Sequence, residues 1–188
     1  MTGQANSFLS LLRIRDPYTG LHSDRVQKLA RQVCSIFGLD QAETQKIEIG
    51  AYLHDIGKMA IPDEILRKPG SLDADEWEIM KSHSALGAAA LREMPDFREI
   101  APIVLHHHER YDGSGYPSQL AGEQIPLGSR IISVLDALDA LTTDRPYRKA
   151  QSIEVAGAEL LLGKGAQFDP DVVDAVLEVI GYRAPVIQ

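Results

Sequence analysis

Hydrophobic residues recur along this chain at the three- and four-residue spacing of amphipathic α-helices. The clearest run has one apolar residue on almost every turn, at Val26, Leu29, Val33 and Ile36. Such a stripe predicts a helix that carries His22 and buries one face. Gly38 follows the run, at the place where a glycine commonly ends a helix in the left-handed conformation.

Residues that cap helices mark where several of them begin. Two aspartates are each followed three positions later by a glutamate, the pattern of a capping box, and the pairs are Asp40 with Glu43 and Asp73 with Glu76. The first pair predicts a helix that reaches His54, and the second predicts a helix that passes through His83. Asp169 followed by Pro170 is typical of an N-cap with proline in the first turn, so a last helix is predicted to end near residue 180.

The remaining periodic segments are also helical. Two further helices are predicted, from about residue 96 to 108 and from 129 to 141. No segment shows the alternation of apolar and polar residues that a half-buried β-strand requires. The pattern therefore predicts an all-α protein, a single-domain bundle of seven to nine helices.

Two segments interrupt the helices. Residues 61–71 contain two prolines and a glycine, and residues 109–128 form a long stretch rich in glycine and proline. Loops of this length without regular structure are uncommon in compact domains and are often functional. The second loop directly follows three consecutive histidines, which makes it the stronger candidate.

Composition narrows the class of protein. The 188 residues carry a net charge of −8, which argues against nonspecific binding to DNA or RNA. Aromatic residues make up 6% of the chain, too few for a stacking platform that binds single-stranded nucleic acid. No apolar run approaches the length of a membrane span, and the single cysteine, Cys34, favours a reducing compartment. We expect a cytoplasmic protein.

The six histidines form the most informative pattern. They lie at positions 22, 54, 83, 106, 107 and 108, and His22, His54 and His83 each fall on the apolar stripe of a predicted helix. One histidine in such a place is more often a hydrogen-bonded core residue than a ligand. Several of them in one small helical domain would be costly to bury unless they shared a partner, and a metal cluster is such a partner.

Three carboxylates extend this candidate site. Asp55 directly follows His54 and could bridge two metals with its two oxygens, while Asp136 and Asp139 lie on the face of one predicted helix. Imidazole and carboxylate ligands without thiolate suit Fe, Mn, Zn, Ni or Co; a purely structural metal is the weaker alternative, because such zinc sites are usually rich in cysteine. A two-metal site suits phosphoester hydrolysis, and Lys58 could hold the attacking water or a phosphate oxygen.

Several short motifs follow one another along the chain: HDIGK at 54–58, IPD at 61–63, LRKPG at 66–70, HHER at 107–110, DGSGYP at 112–117, DALT at 139–142, DRPYR at 144–148 and FDP at 168–170. Together they resemble the HD-GYP family of the HD superfamily of metal-dependent phosphohydrolases. The resemblance covers nearly the whole chain and implies an HD-domain helical bundle. On this basis residues 16–188 form the catalytic domain, and residues 1–15 form an N-terminal helix or extension.

The resemblance also implies roles for individual residues. One metal would be held by His22, His54 and Asp136, and the other by His83, His107 and His108. Asp55 would bridge the two metals, and His106 would be a neighbour of the ligands. Substrate contacts are implied at Lys58, Tyr116, Asp139, Arg145 and Arg148. The implied activity is hydrolysis of cyclic di-GMP to linear pGpG, with the further step to GMP left open and with iron as the first choice of metal.

One departure from the family pattern changes the expected metal count. Relatives place a glutamate four residues before the first histidine, where it can ligate a third metal, and here Tyr18 stands in that place. A neutral phenol is a poor ligand, so we predict a binuclear centre. Two alternatives stay open: a module that binds cyclic di-GMP with weak turnover, and a phosphohydrolase for another nucleotide. The sequence also leaves open a homodimer or a regulatory sensor or receiver partner.

Overall fold

The computed structural model describes residues 10, 14, 17–144 and 149–183, and these residues form an all-helical bundle. In chain order the α-helices are α1 (Pro17–Ile36), α2 (Gln41–Leu53), α3 (Asp63–Leu66), α4 (Ala74–Lys81), α5 (His83–Arg92), α6 (Ala101–Leu105), α7 (Leu127–Thr142), α8 (Ile153–Leu162) and α9 (Pro170–Val179). Short 3₁₀ helices span Ile56–Ala60, Pro95–Phe97 and Gly122–Gln124. In this part of the chain the nearest approach to a β-strand is one isolated bridge, between Lys164 and Phe168. The all-α prediction is confirmed.

The predicted caps form as the sequence indicated. The Asp40 side chain accepts a hydrogen bond from the Glu43 amide at 2.8 Å, and Asp73 with Glu76 forms a complete capping box. Asp169 accepts from two amides of the first turn of α9. Gly38, at a φ of +64°, ends α1 in the left-handed region that glycine enters without a steric penalty.

Two predicted helices are shorter than their hydrophobic patterns suggested. The helix predicted to run from residue 73 through His83 is divided at Ser82, whose hydroxyl donates to the Ile79 carbonyl, so that α5 begins at His83. The helix predicted over residues 96–108 was wrong in its extent. A 3₁₀ turn occupies Pro95–Phe97, α6 ends at Leu105, and the three consecutive histidines lie in the turn that follows.

The core consists of two groups of buried apolar side chains. The larger group joins α1 to α7, α8 and α9, and the smaller joins α2 to α5 and α6 through residues such as Leu53, Leu91 and Phe97. The packing of α1 on α2 and α7, and of α5 on α6, brings the histidine-bearing helix ends together. Among the helices of the described segments, none is long and apolar enough to cross a membrane.

Candidate metal centre

The seven predicted ligand residues lie close together in the structure. Their nitrogen and oxygen atoms fall into three overlapping sets in which all atoms lie within 4.8 Å of one another. These seven residues are His22, His54, Asp55, His83, His107, His108 and Asp136. The structure therefore brings together every residue for which the sequence predicted a ligand role.

The local structure explains why most of these side chains point inward. His54 directly follows the last residue of α2, His83 opens α5, and His107 and His108 lie in the turn after α6. At a helix end the last carbonyls have no partner within the helix. Imidazole rings can therefore bond to these carbonyls and be fixed in orientation by them.

The first set is formed by residues of α1, the end of α2, and α7. The Nε2 atoms of His22 and His54 are 3.2 Å apart, and His22 Nε2 lies 3.3 Å from Asp136 Oδ1. All three ligand atoms lie within 4.8 Å of one another, which leaves room for a single cation among them. The structure thus brings His22 close to Asp136, which is 114 positions further along the chain.

The second set is formed entirely by histidines. His83 Nε2 lies 3.4 Å from His107 Nε2 and 3.2 Å from His108 Nε2. The three rings come from the start of α5 and the turn after α6, two elements that pack against each other. Like the first set, it offers three ligand atoms, and its His107 lies close to His54 of the first set.

Asp55 lies between the two sets. Its Oδ2 is 3.5 Å from His54 Nε2, and its Oδ1 is 3.5 Å from His83 Nε2. Each oxygen of one buried carboxylate therefore faces a different set. Lys58, one turn further along the 3₁₀ helix, donates from Nζ to Asp55 Oδ2 at 2.7 Å.

Hydrogen bonds on the outer side of the rings fix which nitrogen faces the centre. The Nδ1 atoms of three rings contact the carbonyl three residues earlier, and the pairs are His54 with Ala51 at 2.8 Å, His83 with Met80 at 2.7 Å and His107 with Val104 at 2.6 Å. A carbonyl only accepts, so each Nδ1 carries the proton and each neutral ring turns the lone pair of Nε2 inward. Lone pairs that converge in this way repel one another unless a cation lies among them.

Burial keeps these imidazoles neutral. It lowers the pKa of His54, His83 and His107, and it lowers the pKa of His108 to about 3, with a smaller contribution from the neighbouring His83. Burial alone would raise the pKa of Asp55, but Lys58 and the surrounding histidines outweigh it and hold that pKa well below the ordinary value. Neutral imidazoles and an ionised carboxylate are the forms that bind metals.

His22 has a different environment. Its Nδ1 contacts Asp139 Oδ2 at 2.7 Å, and Arg25 binds the same carboxylate with two nitrogens at 2.5 and 2.9 Å. Burial lowers the pKa of His22, but the contacts with Asp136 and Asp139 outweigh it and raise the pKa to about 9. A carboxylate behind a ligating histidine orients the ring and increases its basicity.

Asp139, for which the family resemblance implied a substrate contact, lies behind His22, and that contact stays a prediction. Its side chain is 3% exposed, and its two oxygens are engaged by His22 and Arg25. In this position Asp139 can orient the His22 ring through Nδ1. The sequence places Asp139 near Asp136 but contains no local signal for its contact with His22, which depends on the packing of α1 against α7.

The long loop covers one side of the centre. The ring of Tyr116 stacks on His108, with centroids 4.9 Å apart and planes inclined by 27°. Glu109 is buried and accepts from the Ser118 amide at 2.7 Å, which ties the loop down just beyond Tyr116. His106 turns its Nδ1 toward Glu109 at 3.4 Å, as expected for a neighbour of the ligands.

Some residues at the site were not singled out from the sequence. Arg25 contacts Asp139, Glu109 contacts the long loop, and Lys81 contacts the Tyr116 ring. Arginine, glutamate and lysine are frequent surface residues, so only their neighbours in space distinguish them. The predicted substrate contacts at Arg145 and Arg148 lie outside the described residues.

The donor set fits divalent transition metals. It offers imidazole nitrogens and carboxylate oxygens without any thiolate, and the rings of His54, His83 and His107 are neutral and already turn Nε2 inward. Such ligands suit Fe, Mn, Co, Ni or Zn, whereas Ca²⁺ and Mg²⁺ prefer sites made of oxygen atoms. Two adjacent sets of three donors with one carboxylate between them match the ligand number of two ions that share a bridging group.

Comparison with known proteins agrees with the family resemblance of the sequence motifs. A family model described as "HD domain" matches residues 6–172. The cyclic di-GMP phosphodiesterase response regulator RpfG of Xanthomonas campestris is 45% identical over 168 residues, which are 88% of this chain and 44% of that protein. A cyclic di-GMP phosphodiesterase of Thermotoga maritima is 40% identical over 171 residues, covering 90% of this chain and 46% of that protein.

A third relative is named for another substrate. The 3′3′-cGAMP-specific phosphodiesterase 2 of Vibrio cholerae is 41% identical over 166 residues, 87% of this chain and 32% of that protein. This chain therefore spans less than half the length of each of these three relatives. Among solved structures, Bd1817 of Bdellovibrio bacteriovorus superposes with a TM-score of 0.69 at 22% identity, over 85% of this chain and 51% of that chain. At that identity the match supports the fold.

Proposed function

Because the chain belongs to the HD domain family and is of the HD-GYP type, we propose that it is a metal-dependent phosphodiesterase that hydrolyses cyclic di-GMP. The observation that carries the proposal is the pair of three-donor sets with the two oxygens of Asp55 directed one to each set. Relatives at 40–45% identity bear the name of this activity, which supports the same substrate here.

We assign the ligands as the sequence predicted. One metal would be held by His22, His54 and Asp136 and the other by His83, His107 and His108, with Asp55 as the residue that would bridge them. Two divalent ions in such a site supply Lewis acidity, since they lower the pKa of a water and neutralise negative charge on a phosphate. The distances within each set support this assignment.

The chain's own groups orient the reacting atoms. The Lys58 ammonium is 24% exposed and already bound to Asp55 Oδ2, so it can hold that carboxylate while it donates to an attacking water or a phosphate oxygen. Burial raises the pKa of the Tyr116 phenol, so it stays neutral and can donate a hydrogen bond to the substrate. We propose that Arg145 and Arg148, which the family motif places at the substrate, add bidentate contacts to phosphate oxygens.

The net reaction adds one water to one phosphodiester. The water oxygen bonds to phosphorus, the bond between phosphorus and the ribose 3′ oxygen breaks, and the 3′ oxygen gains a proton. The product is linear pGpG, and a second hydrolysis of the same kind would yield GMP. In this scheme Lys58 and Tyr116 position the reacting groups, while the ligand set fixes the place where they meet.

The decisive experiment is an assay with defined metals. The protein is prepared without oxygen, loaded with Fe(II) or Mn(II), and incubated in parallel with cyclic di-GMP and with 3′3′-cGAMP, which the Vibrio relative's name makes the second candidate substrate. Chromatography should show pGpG as the main product. Faster turnover of 3′3′-cGAMP would transfer the proposal to that substrate, and binding of cyclic di-GMP without product would support a binding module.

The cellular setting is also a proposal. The single cysteine, Cys34, is buried and forms no disulfide, which agrees with the reducing cytoplasm that the sequence predicts. Because the chain spans less than half of its relatives' length, we propose that a sensor or receiver domain, or a second copy of the chain, regulates the site. Residues 1–15 would form the connection to such a partner.

The metal count is expected to be two per chain. Tyr18 occupies the position where relatives offer a third carboxylate, and its side chain lies outside the described part of the structure. A Tyr18→Glu variant is expected to bind a third ion, because it restores an anionic ligand at that position. Elemental analysis of both proteins, prepared anaerobically, measures the number of metal ions per chain. Three tightly held ions in the parent would contradict the prediction.

Replacing Asp139 with asparagine should weaken metal binding without removing a ligand. The amide keeps the size of the carboxylate but loses the charge that raises the basicity of His22, and changes of this kind lower metal affinity about 10–100-fold. Competition with a chelator measures the affinity. Glu48→Gln is the matched control, because Glu48 is also buried and bound to an arginine by two hydrogen bonds, at 2.6 and 2.8 Å, away from the centre. Equal effects of the two variants would rule out a specific role for Asp139.

A further inference from the structure

A row of side chains leads outward from the second set of histidines. Tyr116 stacks on His108, and the ammonium of Lys81 lies over the Tyr116 ring, 5.6 Å from its centroid. An ammonium at this distance is attracted by the negative face of an aromatic ring. The row therefore places a cation beyond the aromatic residue that borders the candidate metal centre.

The backbone holds Lys81 in this place. It is the last residue of α4, and the turn at Ser82 connects it to His83. Its side chain is 24% exposed, so the stem is packed while the charged end reaches the surface. The position of Lys81 is thus set by the same turn that places the ligand His83.

The ion pair of Lys81 is of the kind that a stronger anion can replace. Its Nζ lies 2.5 Å from Glu78 Oε1, one turn earlier on α4, and the Glu78 side chain is 70% exposed. Exposed ion pairs contribute little to stability. A phosphate offers more acceptor oxygens than a carboxylate and forms strong charge-assisted hydrogen bonds with an ammonium.

The substrate supplies an anion that needs a partner away from the reacting centre. A cyclic dinucleotide contains two phosphates, and only one of them can react at the metal centre at a time. Lys58 is bound to Asp55 within the centre, whereas Lys81 lies further out, beyond Tyr116. A nucleotide that accepts a hydrogen bond from the Tyr116 hydroxyl would bring its second phosphate toward Lys81.

We propose that Lys81 binds the second, non-reacting phosphate of the cyclic dinucleotide. This inference rests on the proposed function and adds to it a residue that selects substrates with two phosphates over simple phosphodiesters. Lys81 acts in binding and takes no part in breaking the bond. Its contribution therefore belongs in KM and leaves the chemical step as it is.

The test compares two substrates in each variant. Lys81→Met keeps the apolar stem and removes the charge, and Lys81→Arg keeps the charge. Initial rates are measured with cyclic di-GMP and with bis(p-nitrophenyl) phosphate, which has a single phosphate. In Lys81→Met the KM for cyclic di-GMP is expected to rise about tenfold, as for the loss of one charged hydrogen bond. The ratio of kcat/KM for the two substrates should fall by the same factor, and Lys81→Arg should restore it.

Two further variants separate binding from structure. Lys164→Met is the matched control, because Lys164 pairs with a single carboxylate, Asp174, at 2.5 Å near α9; it should behave as the parent does. Glu78→Gln should lower the KM for cyclic di-GMP, since it frees Lys81 from its competing partner. A residue that only held α4 in place would give losses in both Lys81→Met and Glu78→Gln.

The outcomes distinguish this inference from the proposed function. If the parent protein hydrolyses cyclic di-GMP and Lys81→Met leaves the substrate ratio unchanged, or lowers kcat equally for both substrates, the role of Lys81 is overturned while the activity stands. If the parent gives no product, calorimetric titration of cyclic di-GMP decides: weaker binding in Lys81→Met supports the phosphate contact. If the parent shows neither binding nor product, both proposals fail.

Discussion

Replacing Asp55 with asparagine is expected to reduce the hydrolysis of cyclic di-GMP by at least about 10³-fold, because the two metals of the proposed centre would lose the carboxylate that bridges them. The two oxygens of Asp55 face His54 and His83 at 3.5 Å, so that one oxygen is directed at each set. The amide keeps the size of the side chain but removes its charge and replaces one oxygen with a donor. Asparagine therefore cannot serve both sides as a bridging anion.

The same change also alters the electrostatics of the centre. Lys58 donates to Asp55 at 2.7 Å, and without that carboxylate its ammonium is left next to sites that must accept cations. We therefore expect less than one equivalent of metal in Asp55→Asn after dialysis, compared with two in the parent. Elemental analysis and the chromatographic assay, carried out on the same preparation, measure both effects.

The control for Asp55→Asn is Asp174→Asn. Asp174 is an exposed carboxylate that also binds a lysine, at 2.5 Å, so the control removes a comparable ion pair far from the centre. It should retain the activity and metal content of the parent. An Asp55→Asn protein with two equivalents of metal and undiminished turnover would show that the bridging role is incorrect.

Local sequence signals predicted the helices well where a side chain acts on its own backbone. Asp40, Asp73 and Asp169 each cap the helix that the sequence assigned to them, because a cap needs only residues within one turn. Helix ends near the histidines were less predictable. The helix was predicted to continue through the three histidines to about residue 108, yet it stops at Leu105, and the His107 ring bonds to the Val104 carbonyl.

The ligand residues were found from their types and their motifs, while their surroundings depend on tertiary packing. Asp139 illustrates the difference: the sequence shows a carboxylate three residues after Asp136, and only the contact of α1 with α7 shows that it faces His22 and Arg25. Lys81 has no distinguishing neighbour in the sequence apart from His83. Its significance depends on a loop 35 residues further along the chain, which brings Tyr116 beneath its ammonium.

Gly57→Ala is expected to destabilise the protein by about 3 kcal/mol, which is at the upper end for an added methyl group in a packed interior. A Cβ on Gly57 would lie 1.9 Å from the His83 carbonyl oxygen and 2.6 Å from the Gly87 nitrogen. Both are backbone atoms of α5 and cannot rotate away. The 3₁₀ helix and α5 would have to separate for the methyl group to fit.

That separation would also disrupt the metal centre. The 3₁₀ helix follows Asp55 and contains Lys58, and α5 begins with His83, so the close contact at Gly57 keeps the bridging carboxylate near the second set. We expect a melting temperature about 10 °C lower, from the usual relation between stability and melting temperature for a chain of this size. Metal content should fall as well. Thermal melts with chelator and with added Mn(II) separate the two effects, since metal that binds only the folded state raises the melting temperature.

The matched control is Gly50→Ala in α2. Its Cβ would meet Ile103 Cγ2 at 2.8 Å, which is the end of a side chain that can shift, and alanine favours a helix interior by about 1 kcal/mol relative to glycine. The two effects oppose each other, so Gly50→Ala should melt within a few degrees of the parent and keep its metal. If Gly57→Ala matched this control in both measurements, the backbone contact between the 3₁₀ helix and α5 would not be what holds Asp55 against His83. The geometry of the centre would then have to depend on the bound metals themselves.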